Sequence, residues 1–410
     1  MSTVVIGAGP AGLSAAIELR GRGVADVVVL ERERAPGGIP RHAKHQGFGL
    51  RDLRRPLSGP AYARRLASLA RRAGVEIRTE TMVTSWSPDG PLEVTSPSGR
   101  AHLEPAAMIL ASGCRERPRS ARLVPGSRPA GVMTTGTLQQ LVYLHGRRVG
   151  SRALVVGAEH VSFSALLTLA HGGARTAAMV TELAHHQSLF AFRAGAAVRF
   201  RAPLWTRCAV TAVFGRPSLE GVGVTDLDSG RVRELACDLL VFTADWIPDN
   251  ELAVMAGLEL DTVSRGPAVD AALRTSRPGV FAAGNVLHGA ETADVAALSG
   301  RHAGAAAAEW LASGRGAWPE VRVPVVCAEP LGWLAPNVVA PGAGEPPRGR
   351  YILRARDFLN RPRLAIAQDG RTLWRGRVRR LMPGRSTRLP WEWAAAVDPA
   401  GGPVDVTLRS

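Results

Sequence analysis

Three glycines near the start of the sequence have the spacing of a nucleotide-binding turn. Gly7, Gly9 and Gly12 follow the β-branched run TVVI and precede an alanine-rich segment with the pattern of a helix. In a G-x-G-x-x-G turn the first glycine permits the bend, the second lets the backbone approach a pyrophosphate, and the third allows close helix packing. The pyrophosphate would lie at the helix N-terminus, where unpaired N–H groups and the helix dipole favour negative charge.

An acidic residue follows at the end of the next predicted strand. Glu31 ends the run VVVLE, 24 positions after Gly7, where a carboxylate can accept hydrogen bonds from a ribose diol. A strand before the turn, a helix after it and an acid on the second strand form the context that the motif requires. The sequence therefore predicts an adenine dinucleotide site, which this motif alone does not assign to FAD or to NAD.

A second, altered copy of the turn lies 150 residues further along. At that offset TVVIGAGPAGLSAAIEL aligns with ALVVGAEHVSFSALLTL, and Gly7 corresponds to Gly157. This internal repeat predicts a second strand-turn-helix unit. Glu159 replaces the glycine that should approach the pyrophosphate, and Ser162 replaces the packing glycine.

Glu159 adds bulk and negative charge where a pyrophosphate would bind. At an effective dielectric of about 20, two unit charges ~4 Å apart repel by roughly 4 kcal/mol, or about a thousandfold in affinity. We favour a retained scaffold without a nicotinamide site. The alternative is that Glu159 turns outward and NAD(H) binds, with its ribose on Glu182, an acid that would repel the 2′-phosphate of NADP.

The composition is that of a globular protein with more than one domain. The 410 residues are 46% hydrophobic and 21% charged, which is ordinary for globular chains. The net charge of +16 comes from arginines spread along the chain, and Lys44 is the only lysine. No basic run is interleaved with aromatics, and no apolar run is long enough to span a bilayer. We therefore expect neither a nucleic-acid partner nor a membrane span.

The four cysteines have no short spacing that would pair them. Cys114, Cys208, Cys237 and Cys327 form neither a CxxC motif nor a zinc-ligand pattern. We expect no metal site, no disulfide scaffold and a reducing cytoplasm. Reduction of a substrate disulfide by a cysteine pair is not expected either.

Four stretches together resemble the FAD domain of the two-dinucleotide flavoprotein superfamily that includes thioredoxin and glutathione reductases. They are VVIGAGPAGLSAA, LERERAPGG, ILASG and TSRPGVFAAGNV, in the superfamily's order, and the resemblance covers about residues 1–315. It implies that the first turn binds FAD. It further implies FAD contacts from Gly7, Gly9, Pro10, Ala11, Gly12, Glu31, Arg32, Gly37, Gly38, Arg41, Val83, Ala111, Ser112, Gly113, Gly284, Asn285, Thr292 and Ala293.

Asn285 departs from the superfamily's pattern. Members commonly have an aspartate there, which binds the ribityl chain of the flavin, and an amide can still donate or accept a hydrogen bond. The predicted helix that follows would point its N-terminus at the flavin N1 and C2 carbonyl, which would stabilise the reduced anion.

The expected fold is α/β, with two Rossmann-like domains and a small C-terminal β-rich module. The predicted FAD domain comprises residues 1–115 and 240–315, the second Rossmann-like domain 116–239, and the module 319–410. In the module, RLAIAQ and RTLWRGRV flank Asp369-Gly370, which suits a type I′ hairpin turn. GRYILRARDF and PVDVTLR predict further strands, and the module core is predicted to contain Trp318, Trp333, Trp374, Trp391 and Trp393.

The segment GGIPRHAKHQGFG supplies the candidate catalytic residues, because the superfamily lays it near the flavin ring. His42 and His45 are candidate bases or substrate anchors, and Lys44 or Arg41 would hold a carboxylate or the charge of the reduced flavin. Glu291 and Thr292, at the start of the late helix, are comparable candidates.

A narrower resemblance points to the reaction. ASGCRERP, RPAGVMTTGTLQQLVYLHG and the altered second turn resemble the flavin subunits of hydrogen cyanide synthase, opine oxidase and dye-linked proline dehydrogenase. This implies an FAD-dependent oxidoreductase that takes a hydride from a small-molecule substrate, an amine or amino acid, as a homodimer or with a partner subunit. Two alternatives stay open: an NADH-dependent flavoprotein reductase, and a flavin-bearing subunit whose chemistry takes place on a partner chain. The iron-sulfur module of some members is not expected, since no cysteine follows Cys327.

Overall fold

The computed structural model describes residues 2–88, 90–188, 190–289 and 291–409, which divide into two compact units. The first unit comprises Met1–Arg41, Gln46–Cys114 and Pro248–Ser410, and the second comprises His42–His45 and Arg115–Ile247. The helices are α1 (Pro10–Gly21), α2 (Gly59–Arg72), α3 (Thr135–Tyr143), α4 (His160–His171), α5 (Phe190–Arg199), α6 (Glu251–Met255) and α7 (Ala293–Ala312).

A parallel five-stranded sheet forms the centre of the first unit. Its order is Val280–Ala282, Ala107–Leu110, Thr3–Ile6, Val27–Leu30 and Glu76–Arg78. The first four of these strands are buried along their whole length, as expected for parallel strands covered by helices on both faces. Their carboxyl ends lie at one edge of the sheet, and the glycine turn follows the middle strand there.

Helices α1 and α7 cross at very short distance over this sheet. A Cβ atom added to Gly300 would lie 1.9 Å from the carbonyl oxygen of Ala11. Only glycine permits such an approach of two helix backbones. The position of the turn at the start of α1 is therefore set partly by a helix nearly 300 residues later in the chain.

Smaller sheets complete this part of the first unit. The strands Met82–Trp86, Leu92–Ser96 and Gly99–Leu103 form an antiparallel meander, and Gln46–Phe48 pairs with Leu57–Ser58. Two short strands, Cys114–Glu116 and Trp246–Pro248, pair with each other where the chain passes from one unit to the other.

The second unit repeats the strand-turn-helix arrangement. Its parallel sheet has the order Val132–Thr134, Leu239–Phe242, Arg152–Val156, Arg175–Thr181 and Leu204–Thr206. An antiparallel sheet follows, with strands Cys208–Phe214, Gly221–Asp226 and Val232–Ala236. The strand Arg152–Val156 and α4 occupy the same places in this sheet as Thr3–Ile6 and α1 do in the first, so the internal repeat is confirmed.

The C-terminal residues build their own β-rich core within the first unit. One sheet has five strands, in the order Val338–Val339, Val323–Cys327, Val404–Arg409, Arg363–Gln368 and Arg371–Arg377. A second sheet has three strands, in the order Leu331–Ala335, Tyr351–Ala355 and Thr387–Leu389. The strands Leu359–Asn360 and Arg380–Leu381 form a third, two-stranded sheet. The hairpin predicted at Asp369-Gly370 is confirmed, since both residues have positive φ, 48° and 79°, as a type I′ turn requires. The predicted fold class is thus confirmed.

The predicted tryptophan core of the module is wrong for two of its five members. Trp393 is buried in the core and Trp374 and Trp391 pack against it. Trp318 instead packs edge-on against Phe281, with 5.2 Å between ring centroids, and joins the core of the first sheet. Trp333 stacks on His288 at 4.3 Å. The composition of a segment shows that it has aromatic residues to bury but not which core they enter.

Candidate functional site

The three glycines of the first turn differ in what surrounds them. Gly7 has a φ of +103°, and a Cβ on it would lie 2.5 Å from the Ala111 carbonyl oxygen. A Cβ on Gly12 would lie 1.9 Å from the Gly7 carbonyl oxygen, whereas one on Gly9 would meet no described atom within 4 Å. Two glycines are therefore required by the fold, and the third leaves open the space that a phosphate would need.

Helix α1 starts at this opening with unpaired donors. Gly9 is its N-cap and Pro10 its first residue, and no side chain in the described part of the chain caps it. The N–H groups of a first helical turn lack intrahelical acceptors and attract anions. The turn therefore fits the pyrophosphate of a dinucleotide.

The predicted glycine pair and the predicted "ASG" segment both contact this turn. The Gly37 backbone N–H donates to the Ala8 carbonyl over 2.7 Å. A Cβ on Gly38 would lie 3.0 Å from the Gly9 Cα atom. Ser112, next to Ala111, donates its hydroxyl to the Asp249 carbonyl over 2.8 Å. The structure thus brings these three sequence-predicted segments together.

The carboxylate of Glu31 is fixed against the turn. Its Oε2 accepts the Ala8 backbone N–H and its Oε1 accepts that of Glu33, each over 2.9 Å, and the residue is 7% exposed. A carboxylate has acceptor sites beyond these two. The segment before Val83, which is buried, reaches the same place, because the Thr81 N–H donates to the Glu31 carbonyl over 2.9 Å.

Two arginines predicted to contact FAD have acidic neighbours. Arg32 lies 3.7 Å from the Asp249 carboxylate, and Arg41 lies 3.5 Å from that of Glu33. The Arg41 side chain is 17% exposed and that of Arg32 is 62% exposed. Their contacts to FAD stay predictions.

The side chain of Asn285, at the end of the stretch TSRPGVFAAGNV, binds the backbone of the loop that follows it. Its Oδ1 accepts the Glu291 backbone N–H over 3.0 Å, and its Nδ2 donates to the Glu291 carbonyl over 3.2 Å. Gly284 packs on the turn, since a Cβ there would lie 2.6 Å from the Ala11 Cβ. The amide assigned to the ribityl chain is thus engaged with the backbone of its own loop.

The first turn of α7 carries a buried acid that the sequence reasoning missed. Asp294, 2% exposed, lies 2.9 Å from the Arg51 guanidinium and accepts the hydroxyl of Thr292, the N-cap residue. An acid in a first helical turn is a common dipole-compensating feature and could have been noticed as such. It opposes the positive end of α7, which reduces the expected stabilisation of a reduced flavin by this helix.

The altered turn of the second unit is occupied by its own carboxylate. Glu159, the N-cap of α4, accepts the Ala158 backbone N–H over 3.1 Å and the Ser162 hydroxyl over 2.6 Å. It also accepts the hydroxyl of Thr243, a residue that sequence reasoning did not identify. The side chain points into the turn, so an anion already lies at the N-terminus of α4. Glu182 is exposed at the end of the next strand.

The candidate catalytic residues His42, Lys44 and His45 cluster with the second unit. His42 is 2% exposed, and its Nδ1 lies 3.3 Å from Oε1 of Gln139 on α3. The Lys44 ammonium lies 5.0 Å from the ring centroid of Tyr143 on the same helix. His45 is half-buried. The geometry places His42 and Lys44 against α3, and their catalytic roles stay predictions.

The cysteines have the chemistry of buried thiols. Cys208, Cys237 and Cys327 form no disulfide. Burial raises the pKa of Cys237 to about 11 and that of Cys327 to about 12, so thiolates are rare there near neutral pH. Within the described ranges no three His, Cys, Asp or Glu side chains group in a way that could hold a metal ion, and no helix has the length and apolarity to cross a membrane.

Known proteins resemble this chain in sequence. The family model of pyridine nucleotide-disulphide oxidoreductases matches residues 1–300. The ferredoxin–NADP reductase of Ignicoccus hospitalis is 26% identical over 331 residues, which are 76% of this chain and 98% of that protein. An opine oxidase subunit from Agrobacterium tumefaciens is 28% identical over 339 residues, which are 74% of this chain and 64% of that protein.

A solved structure shares the fold. Thioredoxin reductase from T. acidophilum superposes with a TM-score of 0.60 at 22% identity and covers 76% of this chain and 98% of its own.

Proposed function

Since this chain belongs to the pyridine nucleotide-disulphide oxidoreductase family and is a flavin-dependent oxidoreductase, we propose that it holds FAD at the first turn and oxidises a small organic donor. The open side of Gly9 and the uncapped start of α1 support FAD at that place. We propose that the donor is an amine or amino acid and that NAD(H) is not the physiological reductant.

The observation that carries this proposal is the position of the Glu159 carboxylate. It accepts one backbone N–H and two hydroxyls at the start of α4, which is where the pyrophosphate of a nicotinamide nucleotide would need donors. A pyrophosphate at this turn would have to displace a carboxylate with satisfied hydrogen bonds or lie beside it with the same charge. Either arrangement weakens binding of the nucleotide.

The cysteines support a small organic donor rather than a disulfide as the reaction partner of the flavin. A reductase that passes electrons to a disulfide needs a cysteine pair with accessible thiolates. This chain has no closely spaced pair, and burial raises the pKa of Cys208, Cys237 and Cys327. We infer that electrons do not leave through a dithiol of this chain.

The relative from opine oxidase supports an amine as the donor. FAD, when bound, would accept a hydride from the carbon next to nitrogen while the nitrogen gives up a proton, so that the amine becomes an imine. His45 is our candidate for receiving that proton, and Lys44 for binding a substrate carboxylate. The buried His42, beside Gln139, would position this segment.

Anaerobic mixing of the FAD-loaded protein with NADH tests the proposal. We expect no bleaching of the flavin absorbance with NADH and bleaching with at least one member of an amine and amino-acid panel. Glu159→Gly should strengthen NADH binding, and Glu159→Gln, which keeps the shape but removes the charge, should strengthen it less. Rapid bleaching of the unaltered protein by NADH, within the time of one turnover, would overturn the proposal.

A second candidate function is a nicotinamide-dependent flavoprotein reductase. The relative that carries NADP in its name supports it, and the same NADH experiment, repeated with NADPH, separates the two functions.

The third candidate is a flavin-bearing component of a larger enzyme. The opine oxidase relative supports it, because that protein is named as one subunit of its enzyme. A purified chain with a photoreducible flavin, but with no donor oxidation until a second chain is added, would favour this function.

A further inference from the structure

A cavity lies between the start of α7 and the C-terminal module. Its walls are mostly apolar and include Leu273, Leu287, Val295, Pro336, Pro347 and Ile352. It shares Gly284 and Asn285 with the predicted FAD contacts, and none of its lining residues comes from the glycine turn, Glu31 or the "ASG" segment. The cavity is therefore built mainly by residues that the dinucleotide does not need.

Two arginines of the module line this apolar cavity without a carboxylate partner. Within the described ranges, neither Arg348 nor Arg350 forms an ion pair. In the same ranges, the Arg350 side chain makes one hydrogen bond, which its Nε donates to the Arg348 carbonyl over 2.9 Å. Burial and the neighbouring charges of Arg350, Arg388 and Arg51 lower the pKa of Arg348, while the Asp294 carboxylate acts on it in the opposite direction. The carboxylate of Glu291, which also lines the cavity, is paired with Arg354. Such a crowded, partly desolvated guanidinium pair is stabilised by any anion that binds between the two.

His288 is a second, independent observation that points to a ligand. Its ring lines the cavity and stacks on Trp333. Its Nδ1 is buried without a hydrogen-bond partner in the described part of the chain. Leaving a buried polar atom unpaired costs free energy, so an unpaired nitrogen at a cavity wall marks a place where a ligand atom is expected. Burial lowers the pKa of His288 to about 4, which keeps the ring neutral.

We propose that this cavity binds a small hydroxy acid with an apolar body. Its carboxylate would bind Arg348 and Arg350, its carbon chain would pack on Leu273, Val295 and Ile352, and its hydroxyl would donate to Nδ1 of His288. An inorganic anion would satisfy the arginines but leave the apolar walls and the imidazole without contacts. The proposal does not depend on which donor reduces the flavin.

Calorimetric titration of the FAD-saturated protein with 2-hydroxy-4-methylpentanoate tests the site. We expect binding, at least about tenfold weaker binding of its neutral amide, and still weaker binding of inorganic phosphate. Arg348→Gln and Arg350→Gln should each weaken binding of the acid by about tenfold or more. His288→Phe, which keeps the stack on Trp333, should weaken it several-fold.

Arg371→Gln is the matched control. It removes the same charge from an exposed position in the hairpin of the module, so binding of the acid should not change. Thermal unfolding and the flavin spectrum identify variants that have lost the fold or the cofactor. If Arg348→Gln proves unfolded, Arg350→Gln still tests the prediction.

Three outcomes would overturn the inference. Equal affinity for phosphate and the acid, or equal weakening by Arg371→Gln, would mean that only the general positive charge of the module attracts anions. Binding to the FAD-free protein that disappears on saturation with FAD would mean that the cavity is part of the dinucleotide site. Absence of binding up to about 10 mM acid would leave no site at millimolar affinity.

Discussion

Arg354 of the C-terminal module and Glu291, which precedes α7, form an ion pair that is largely removed from water. The Arg354 Nη2 atom lies 3.1 Å from the Glu291 carboxylate, and the two side chains are 14% and 15% exposed. The same guanidinium lies over the Trp333 ring, 5.1 Å from its centroid, and Glu291 also accepts the Ser386 hydroxyl. The module thus holds the loop whose backbone Asn285 also binds.

Breaking this pair should destabilise the protein strongly. Arg354→Met leaves the Glu291 carboxylate buried without its cation, and we expect a loss of about 3–5 kcal/mol in the free energy of unfolding. Arg356→Met is the matched control. Its pair with Glu329 is 55% and 79% exposed, and such pairs contribute about 0–1 kcal/mol. Urea titration followed by tryptophan fluorescence measures both, and equal losses would contradict a special role for the buried pair.

Two glycines of the first turn should respond differently to the same substitution. Gly12→Ala places a methyl group 1.9 Å from the Gly7 carbonyl oxygen, so we expect about 2–3 kcal/mol of destabilisation from overpacking. Gly9→Ala has open space and ordinary backbone angles, so stability should fall by no more than about 1 kcal/mol, the cost of alanine in place of glycine at an N-cap. FAD binding should nevertheless fall at least about tenfold, because the methyl group enters the space of the phosphate. Bound flavin per chain and the urea midpoint separate these effects; full flavin content in Gly9→Ala would refute the predicted site.

His288 should make stability fall as the solution becomes acidic. Its pKa is lowered by burial to about 4 in the folded chain, from the ordinary value of 6.5. Between about pH 6.5 and 4 the unfolded chain therefore binds a proton that the folded chain does not, and the free energy of unfolding decreases as pH falls through that window.

Between the two ends of that pH window, this proton lowers the free energy of unfolding by about 3 kcal/mol in total. The neighbours Glu291 and Arg354 act on the same ring in opposite directions. Unfolding curves at several pH values for the natural protein and His288→Phe measure the difference in slope. Parallel pH profiles would show that His288 does not titrate as expected.

The thiols should be slow to react while the protein is folded. With the pKa of Cys237 raised to about 11 and that of Cys327 to about 12, thiolate is a very small fraction at pH 8. We expect iodoacetamide to label these two residues much more slowly in the folded protein than in urea, as measured by mass spectrometry of peptides. Fast labelling of either residue in the folded protein would reopen the question of a redox-active thiol.

Much of the fold and of the first turn was accessible from local patterns. The glycine spacing and the Asp369-Gly370 turn depend on backbone geometry within a few residues, and Glu31 ends the second strand of the same strand-turn-helix-strand unit, so sequence reports all three directly. The repeat at an offset of 150 residues predicted the second sheet in the same way.

Two features that sequence reasoning missed, the orientation of Glu159 and the cavity, depend on residues far apart in the chain. Thr243 meets Glu159 across 84 positions, so the inward orientation of that carboxylate could not be read from the turn alone. The side chain of Asn285 is engaged by backbone beyond the motif. The cavity lined by Arg348 and His288 exists only because the module folds back on α7, and arginines scattered through a basic sequence give no sign of converging.

The crossing of α1 and α7 at Gly300 limits how such proteins can be recombined. A chimera that joins the amino-terminal segment of one relative to the carboxyl-terminal helix of another would combine two helices whose contact residues come from different proteins. Any residue larger than glycine at the crossing would push α1 away from its strand and distort the glycine turn at its start. Engineers who exchange parts between these flavoproteins should therefore transfer both helices as one piece.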